Sequence, residues 1–299
     1  MDSQTGNLKN KDGHSNLVHR YKGRLMSCLS PVSTLEAIKQ FDVRDDDIWI
    51  MTYPKSGTNL SNKIVRCTIE STSPNITKGT DFPGNVFEFH PQGLPKAFHQ
   101  TIAEEVSPRV ISTHLHGELL PEQLTEGKAK LIYIARNPKD VATSMYYHFS
   151  VDPSCPDYSS WSEFYEDFKS GQVVFDSWAD HVLYWWNRRH WENVLFITYE
   201  ALIKDRRSEI KRISEFLGMP LDDDQIDMIE EESSFTTMKK NEASRPLFPI
   251  WKLDPALSPF VRKGIIGDWK NRFTVAENER FNEWYAQWIG DSGLKFDYD

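Results

Sequence analysis

The chain has 299 residues, 39% hydrophobic and 26% charged, and its 35 Lys and Arg against 44 Asp and Glu leave a formal net charge of −9. Such a composition suits an ordinary globular protein, and the acidic balance argues against nucleic acid as the main partner, because phosphate-backbone binding needs clustered positive charge. Three scattered cysteines (Cys28, Cys67, Cys155) without Cys-x-x-Cys spacing predict reduced thiols and a cytoplasmic location, and with no apolar run near the ~18 residues of a membrane span no membrane partner is expected.

Residues 1–16 are polar, lack the apolar core of a signal peptide and are expected to be disordered, leaving 17–299 as one domain. The first strong element is the β-prone run Asp47–Tyr53, ended by Pro54 and the turn Lys55-Ser56-Gly57-Thr58, with a helix pattern from Thr58 to about Glu70. Arg109–Thr113 and Lys130–Ala135 read as buried strands. Asn137 caps a helix with Pro138 at its first position, running to about Phe149. An aromatic helix over Asp176–Trp191, a strand over Asn193–Tyr199 and a helix over Arg207–Leu217 follow, with a last helix over Ala276–Ile289. The acidic runs Asp45–Asp47 and Asp222–Asp224 read as a turn and a helix cap. Alternation of strands and helices predicts the α/β class, with a central parallel sheet flanked by helices.

Two segments carry chemistry. In Tyr53-Pro-Lys-Ser-Gly-Thr-Asn59, Gly57 permits close backbone approach, the helix start offers free amides, Lys55 adds a point charge, and Ser56 and Thr58 add hydroxyls. The residues fit either a P-loop-like anion cradle or a plain capped turn. The order is not that of a Walker A loop, because the lysine precedes the glycine, which leaves an NTPase or kinase reading weak. The second segment, Ser258–Asn271, sets Arg262 and Lys263 beside Gly264 and Gly267, fitting either a phosphate wrap or a solvated basic turn.

The pairing of Tyr-Pro-Lys-Ser-Gly-Thr near the start with Arg-Lys-Gly-Ile-Ile-Gly-Asp-Trp-Lys-Asn near the end resembles the cytosolic sulfotransferases, over about Asp46 to Gly290. That resemblance implies transfer of a sulfonate from 3′-phosphoadenosine-5′-phosphosulfate (PAPS), leaving 3′-phosphoadenosine-5′-phosphate (PAP). The acceptor would be the hydroxyl or amine of a small apolar molecule such as a phenol, steroid or alcohol, with no metal required. It assigns Lys55, Ser56, Gly57, Thr58 and Asn59 to the 5′-phosphosulfate, with Lys55 on the bridging oxygen. Arg136 and Ser144, completed by Arg262, Lys263 and Gly264, would hold the 3′-phosphate; Tyr199, Ser233 and Phe235 would flank the adenine. The catalytic base would be His114, and Phe87, Phe89, Tyr146 and Phe149 would line the acceptor pocket. His114 and His116 share a strand face, but only Glu118 offers a third metal ligand, so no metal site is expected there.

Lys270, Thr274, Val275 and Glu279 fit the segment through which many members dimerise, implying a homodimer. Ser112 stands where the family usually has a lysine two residues before the base, a pattern that looks like the divergent 6B-type branch. It opens an alternative: a catalytically weak relative that binds nucleotide and an apolar ligand. Leu60 stands where a tryptophan often stacks on adenine, which leaves more of that packing to Phe235.

Overall fold

A computed structural model of the chain describes residues 17–73, 86–152, 154–244 and 262–299. The expected disorder of residues 1–16 and the start of the second motif, residues 258–261, lie outside them. A hairpin of β1 (Val18–Tyr21) and β2 (Arg24–Ser27) precedes the helix α1 (Val32–Ile38). Four strands then build one parallel sheet: β3 (Ile48–Thr52), β4 (Val110–Thr113), β5 (Lys130–Ala135) and β6 (Val194–Thr198), in the order β4-β3-β5-β6.

Side chains alternate across these strands with a period of two, yet both faces are apolar because helices cover both. One face presents Trp49, Met51, Ile111, Leu131, Tyr133 and Phe196 to an aromatic-rich core. The helices α4 (Pro138–Phe149), α5 (Trp161–Ser170), α6 (Trp178–Trp186) and α11 (Val275–Ile289) pack there. The other face presents Ile48, Ile50, Val110, Ile132, Ile134, Leu195 and Ile197 to α2 (Thr58–Thr72), α8 (Arg206–Leu217) and α9 (Asp223–Glu232). Short helices α3 (Phe98–Ala103) and α7 (Tyr199–Lys204), and α10 (Phe235–Ser244), complete the set among the described residues.

Local chemistry sets most boundaries. Asn137 accepts the amide of Asp140 and Pro138 opens α4, as its sequence predicts. The aromatic helix is shorter than expected: Ser177 accepts the Asp180 amide, so α6 starts at Trp178, and it closes at Trp186 before a run of turns. The last strand stops at Thr198 because the Thr198 hydroxyl caps the unforeseen α7. Asp205 caps α8, and Gly218, in the left-handed region, ends it. Asp222 caps α9 in a reciprocal box with Gln225. Asp47 closes the expected turn, its amide donating to Arg44 O (3.2 Å), and also receives a buried two-pronged bond from Arg109 (Nε–Oδ1 2.7 Å, Nη2–Oδ2 2.5 Å), which clamps β3 to β4.

In this strand order β3 lies between β4 and β5, so the chain leaves β3 toward one edge and returns to its other side. Such a switch point opens a crevice at the carboxyl ends of the strands, where α/β sheets bind ligands.

Candidate active site

The crevice holds a cavity of about 230 Å³. A single water needs only ~10–15 Å³ on that measure, so there is room for an extended organic ligand. Its floor is the turn between β3 and α2. Lys55 is held in the left-handed region (φ 69°), a strained setting for a side-chain-bearing residue, and Gly57 follows at φ 113°. A Cβ on Gly57 would sit 2.7 Å from the Tyr199 ring, so only glycine lets the turn and that ring meet. The first bond of α2 runs from Ser61 N to Gly57 O (3.0 Å), which leaves the amides of residues 58–60 without intrahelical acceptors. Burial lowers the Lys55 ammonium to about 8, opposed by nearby Cys155 and Asp152 and aided by Arg136 and Arg262.

Arg136, at the end of β5, ties the distant parts together. Its Nη1 donates to Lys55 O (3.1 Å), its Nη2 to Ile265 O (3.0 Å), and its guanidinium lies 4.3 Å from the Tyr199 ring centre. The second motif is pinned by two carboxylates. Asp140 accepts the amides of Gly267 and Trp269, both at 2.9 Å. Asp268 receives Arg262 and, at 2.5 Å, Lys263. Burial alone would raise the Asp268 carboxyl, but hydrogen bonds from Lys263, Arg262 and Asn271 bring it down to about 2. Gly264 abuts the Phe235 ring, where a Cβ would lie 2.5 Å away. Ser233, at the end of α9, donates to Ile229 O (2.6 Å) beside that ring.

His114 follows β4 on the opposite wall. Its Nδ1 lies 2.9 Å from the Thr52 carbonyl and 3.1 Å from Thr52 Oγ1, which itself lies 2.8 Å from Thr58 Oγ1. Donation from Nδ1 to the carbonyl leaves Nε2 as the basic nitrogen. Burial drives the imidazole down to about 4, the Thr52 carbonyl opposing and Lys55 adding to the fall, so it is neutral at pH 7. Ser112, two residues earlier, accepts from Asn62 Nδ2 (2.6 Å).

Nearly all the residues singled out in the sequence meet here. Lys55, Gly57, Thr58, Asn59, Arg136, Ser144, Tyr199, Ser233, Phe235, Arg262, Lys263, Gly264 and His114 line the cavity, as do Phe89 and Phe149. Ser56 lies just beneath, fully buried. Two expectations fail. Phe87 is buried in the core edge-on against Phe41 and Trp49 (centroids 4.8 and 4.9 Å), and Tyr146, half-buried, packs on Trp161 and beneath Arg272, so neither lines the cavity.

Sequence reasoning missed Glu88. Its buried carboxylate accepts His114 N (2.9 Å) and Thr113 Oγ1 (2.8 Å), fixing the chain at the histidine, and burial raises it to about 7 against those bonds. A charged residue inside Val-Phe-Glu-Phe was the available signal.

The site fits a doubly phosphorylated ligand on its own terms. Ser56 Oγ in the first motif, Arg262 Nε in the second and Arg136 Nε between them are buried without a hydrogen-bond partner, and both arginines line the cavity. Buried donors of this kind call for an anion.

Comparison with known proteins decides the family. The profile of the sulfotransferase domain matches residues 45–293. The chain belongs to the sulfotransferase family. It is similar to rat (Rattus norvegicus) sulfotransferase 1A1, 39% identical over 266 residues, 88% of this chain and 91% of that one. To mouse (Mus musculus) sulfotransferase 2B1 it is 40% identical over 278 residues, 90% of this chain and 79% of that one. The crystal structure of mouse sulfotransferase SULT7A1 complexed with PAP superposes with a TM-score of 0.78 at 34% identity, covering 93% of this chain and 96% of that one. This sulfotransferase is accordingly a PAPS-dependent enzyme, with the parallel α/β architecture of its relatives.

Proposed function

We propose that this sulfotransferase transfers a sulfonate from PAPS to the hydroxyl or amine of a small apolar acceptor by in-line displacement, with His114 as general base. The observation that carries the reading is His114 itself. It is neutral, anchored through Nδ1 to Thr52 O (2.9 Å), and lines the same cavity as Lys55. The donor supplies an activated sulfonate on a phosphate leaving group. Lys55 and the amides opening α2 hold the negative charge that grows there, and their fixed orientation means they need not reorganise as it does. Ser56, Thr58 and Asn59 complete that end. Arg136, Ser144, Arg262, Lys263 and Gly264 suit the 3′-phosphate, and Tyr199, Ser233 and Phe235 the adenine.

Nε2 of His114 takes the acceptor's proton as its oxygen attacks, with Thr52 keeping the ring in the required tautomer. Leu29, Phe89, Met145, Phe149, Val174 and Phe175 give the acceptor side an apolar wall, and the His114 ring meets Phe175 edge-on at 5.5 Å. This favours phenols, steroids and long alcohols over charged acceptors. PAP release measured over a panel of these, with amines included, tests the reading: transfer to an apolar hydroxyl supports it, and no transfer despite tight PAP binding contradicts it.

Ser112 favours a second reading, slow turnover on ordinary acceptors. No cation stands at that position, and its hydroxyl is engaged by Asn62. Brisk turnover on any panel member removes it. We further propose one domain over 17–299, a cytoplasmic location, and a homodimer through Lys270, Thr274, Val275 and Glu279. Val275 supports the last point, being 77% exposed at the start of α11, where Thr274 serves as cap.

A further inference from the structure

The transfer chemistry leaves one cluster on the cavity wall without a role. His148 near the end of α4, Asp152 just beyond it and Cys155 each offer a ligand atom, and the three atoms lie within 4.8 Å of one another. All three residues line the cavity that contains Lys55. We propose that they form a binding site for a thiophilic divalent cation of the zinc class, with its fourth coordination position open to the cavity.

The donor set and its spacing carry this. Tetrahedral zinc with a nitrogen, an oxygen and a sulfur at their usual bond lengths places ligand atoms about 3.4–3.6 Å apart. His148 Nε2 and Asp152 Oδ2 already stand 3.3 Å apart. Relative to the 4.8 Å limit, the Cys155 sulfur needs to move by about 1 Å at most, which a side-chain rotation supplies. Imidazole, carboxylate and thiolate together select zinc over magnesium or calcium, which prefer all-oxygen sets.

The Asp152 carboxylate is an independent sign. Its side chain is 1% exposed, and one oxygen, Oδ1, accepts Ser154 N (2.8 Å) and Ser154 Oγ (2.6 Å). The other, Oδ2, makes no hydrogen bond even though His148 Nε2 is its near neighbour. A buried carboxylate oxygen steered by its partner atom and left unsatisfied matches the way orienting bonds prepare metal ligands. The turn is itself rigid: Asp152 N donates to His148 O (3.0 Å) and Cys155 N to Asp152 O (3.0 Å), which sets the three residues on successive short turns.

Charge fits as well. On binding, the sulfur–metal bond forms as the S–H proton leaves to buffer. Thiolate and carboxylate then balance the dication, so the filled site is neutral beside the Lys55 ammonium.

Titration of the full chain with cobalt(II), a spectroscopic stand-in for zinc, under a phosphine that keeps the thiols reduced, tests the proposal without reference to sulfonate transfer. The expected result is one equivalent bound, with tetrahedral d–d bands and a near-ultraviolet thiolate charge-transfer band, both lost on adding zinc. Cys155→Ser should abolish the charge-transfer band, and Asp152→Asn or His148→Ala should weaken binding at least tenfold. Cys67→Ser, which alters a thiol on α2, should leave the band intact. PAP binding by each variant verifies that it is folded. A charge-transfer band that persists in Cys155→Ser, or binding with no defined stoichiometry, overturns the assignment.

Discussion

Replacing Arg136 by lysine keeps the charge and removes the fork. The guanidinium donates to Lys55 O (3.1 Å) and Ile265 O (3.0 Å), stacks 4.3 Å from Tyr199, and holds a buried Nε without a partner. An ammonium can satisfy one carbonyl, cannot stack as a plane and does not reach the position of Nε. The loss amounts to one charge-assisted bond to a bound 3′-phosphate. At about 1.5–3 kcal/mol per bond to a charged group, the net loss is about 2–3 kcal/mol. That is roughly a 30- to 150-fold weaker Kd for PAP. Calorimetric titration with PAP and with adenosine 5′-phosphate, which lacks the 3′-phosphate, separates the possibilities. Only PAP affinity should fall by this amount, because only PAP presents the group that Arg136 holds. A change below threefold for PAP, or an equal loss for both nucleotides, would refute the reasoning.

Other consequences follow from single residues. Because burial raises folded Glu88 from 4.5 to about 7, the native state keeps its proton while the unfolded chain loses it. Stability should therefore fall as pH rises from about 4.5 to 7, by about 3 kcal/mol, then level off. Urea unfolding across that range should show this fall in the wild type relative to Glu88→Gln, and parallel curves would contradict it. Gly264→Ala puts a Cβ 2.5 Å from the Phe235 ring at φ 65°, so PAP should bind at least tenfold more weakly by calorimetry. Val275→Glu changes a residue 77% exposed; light scattering should show a monomer in place of a dimer, with unfolding free energy moved by less than about 0.5 kcal/mol.

Much of the architecture could be read from local signals. Short continuous apolar, β-prone runs mark β3 and β5, and the Asn137-Pro138 start fixes α4, because these signals act within a few residues. The phosphate cradle was legible for the same reason: strand, lysine, glycine and helix start are contiguous. Its joining to the second motif was legible only through the family resemblance, not from local signals, since Arg136 reaches Ile265 across 129 positions. The lining aromatics show where periodicity misleads. Phe87 and Phe89 would share a face in an ideal strand, but Phe89 N bonds back to Val86 O (2.8 Å), and that turn sends Phe87 to the core and Phe89 to the cavity. On α4, Ser144, Met145, His148 and Phe149 form the cavity stripe at helical spacing, which rotates Tyr146 away onto Trp161. Glu88 and Thr52 acquire their roles only through contacts to His114 across 26 and 62 positions.

The central claim is that His114 moves the proton and leaves nucleotide binding to other residues. Single-turnover sulfonate transfer and PAP affinity, measured side by side for His114→Ala and wild type, test it most directly. The account predicts transfer slowed by ~10²–10⁴, with the Kd for PAP held within about threefold. Transfer that survives the substitution, or transfer and PAP binding lost together, would contradict it.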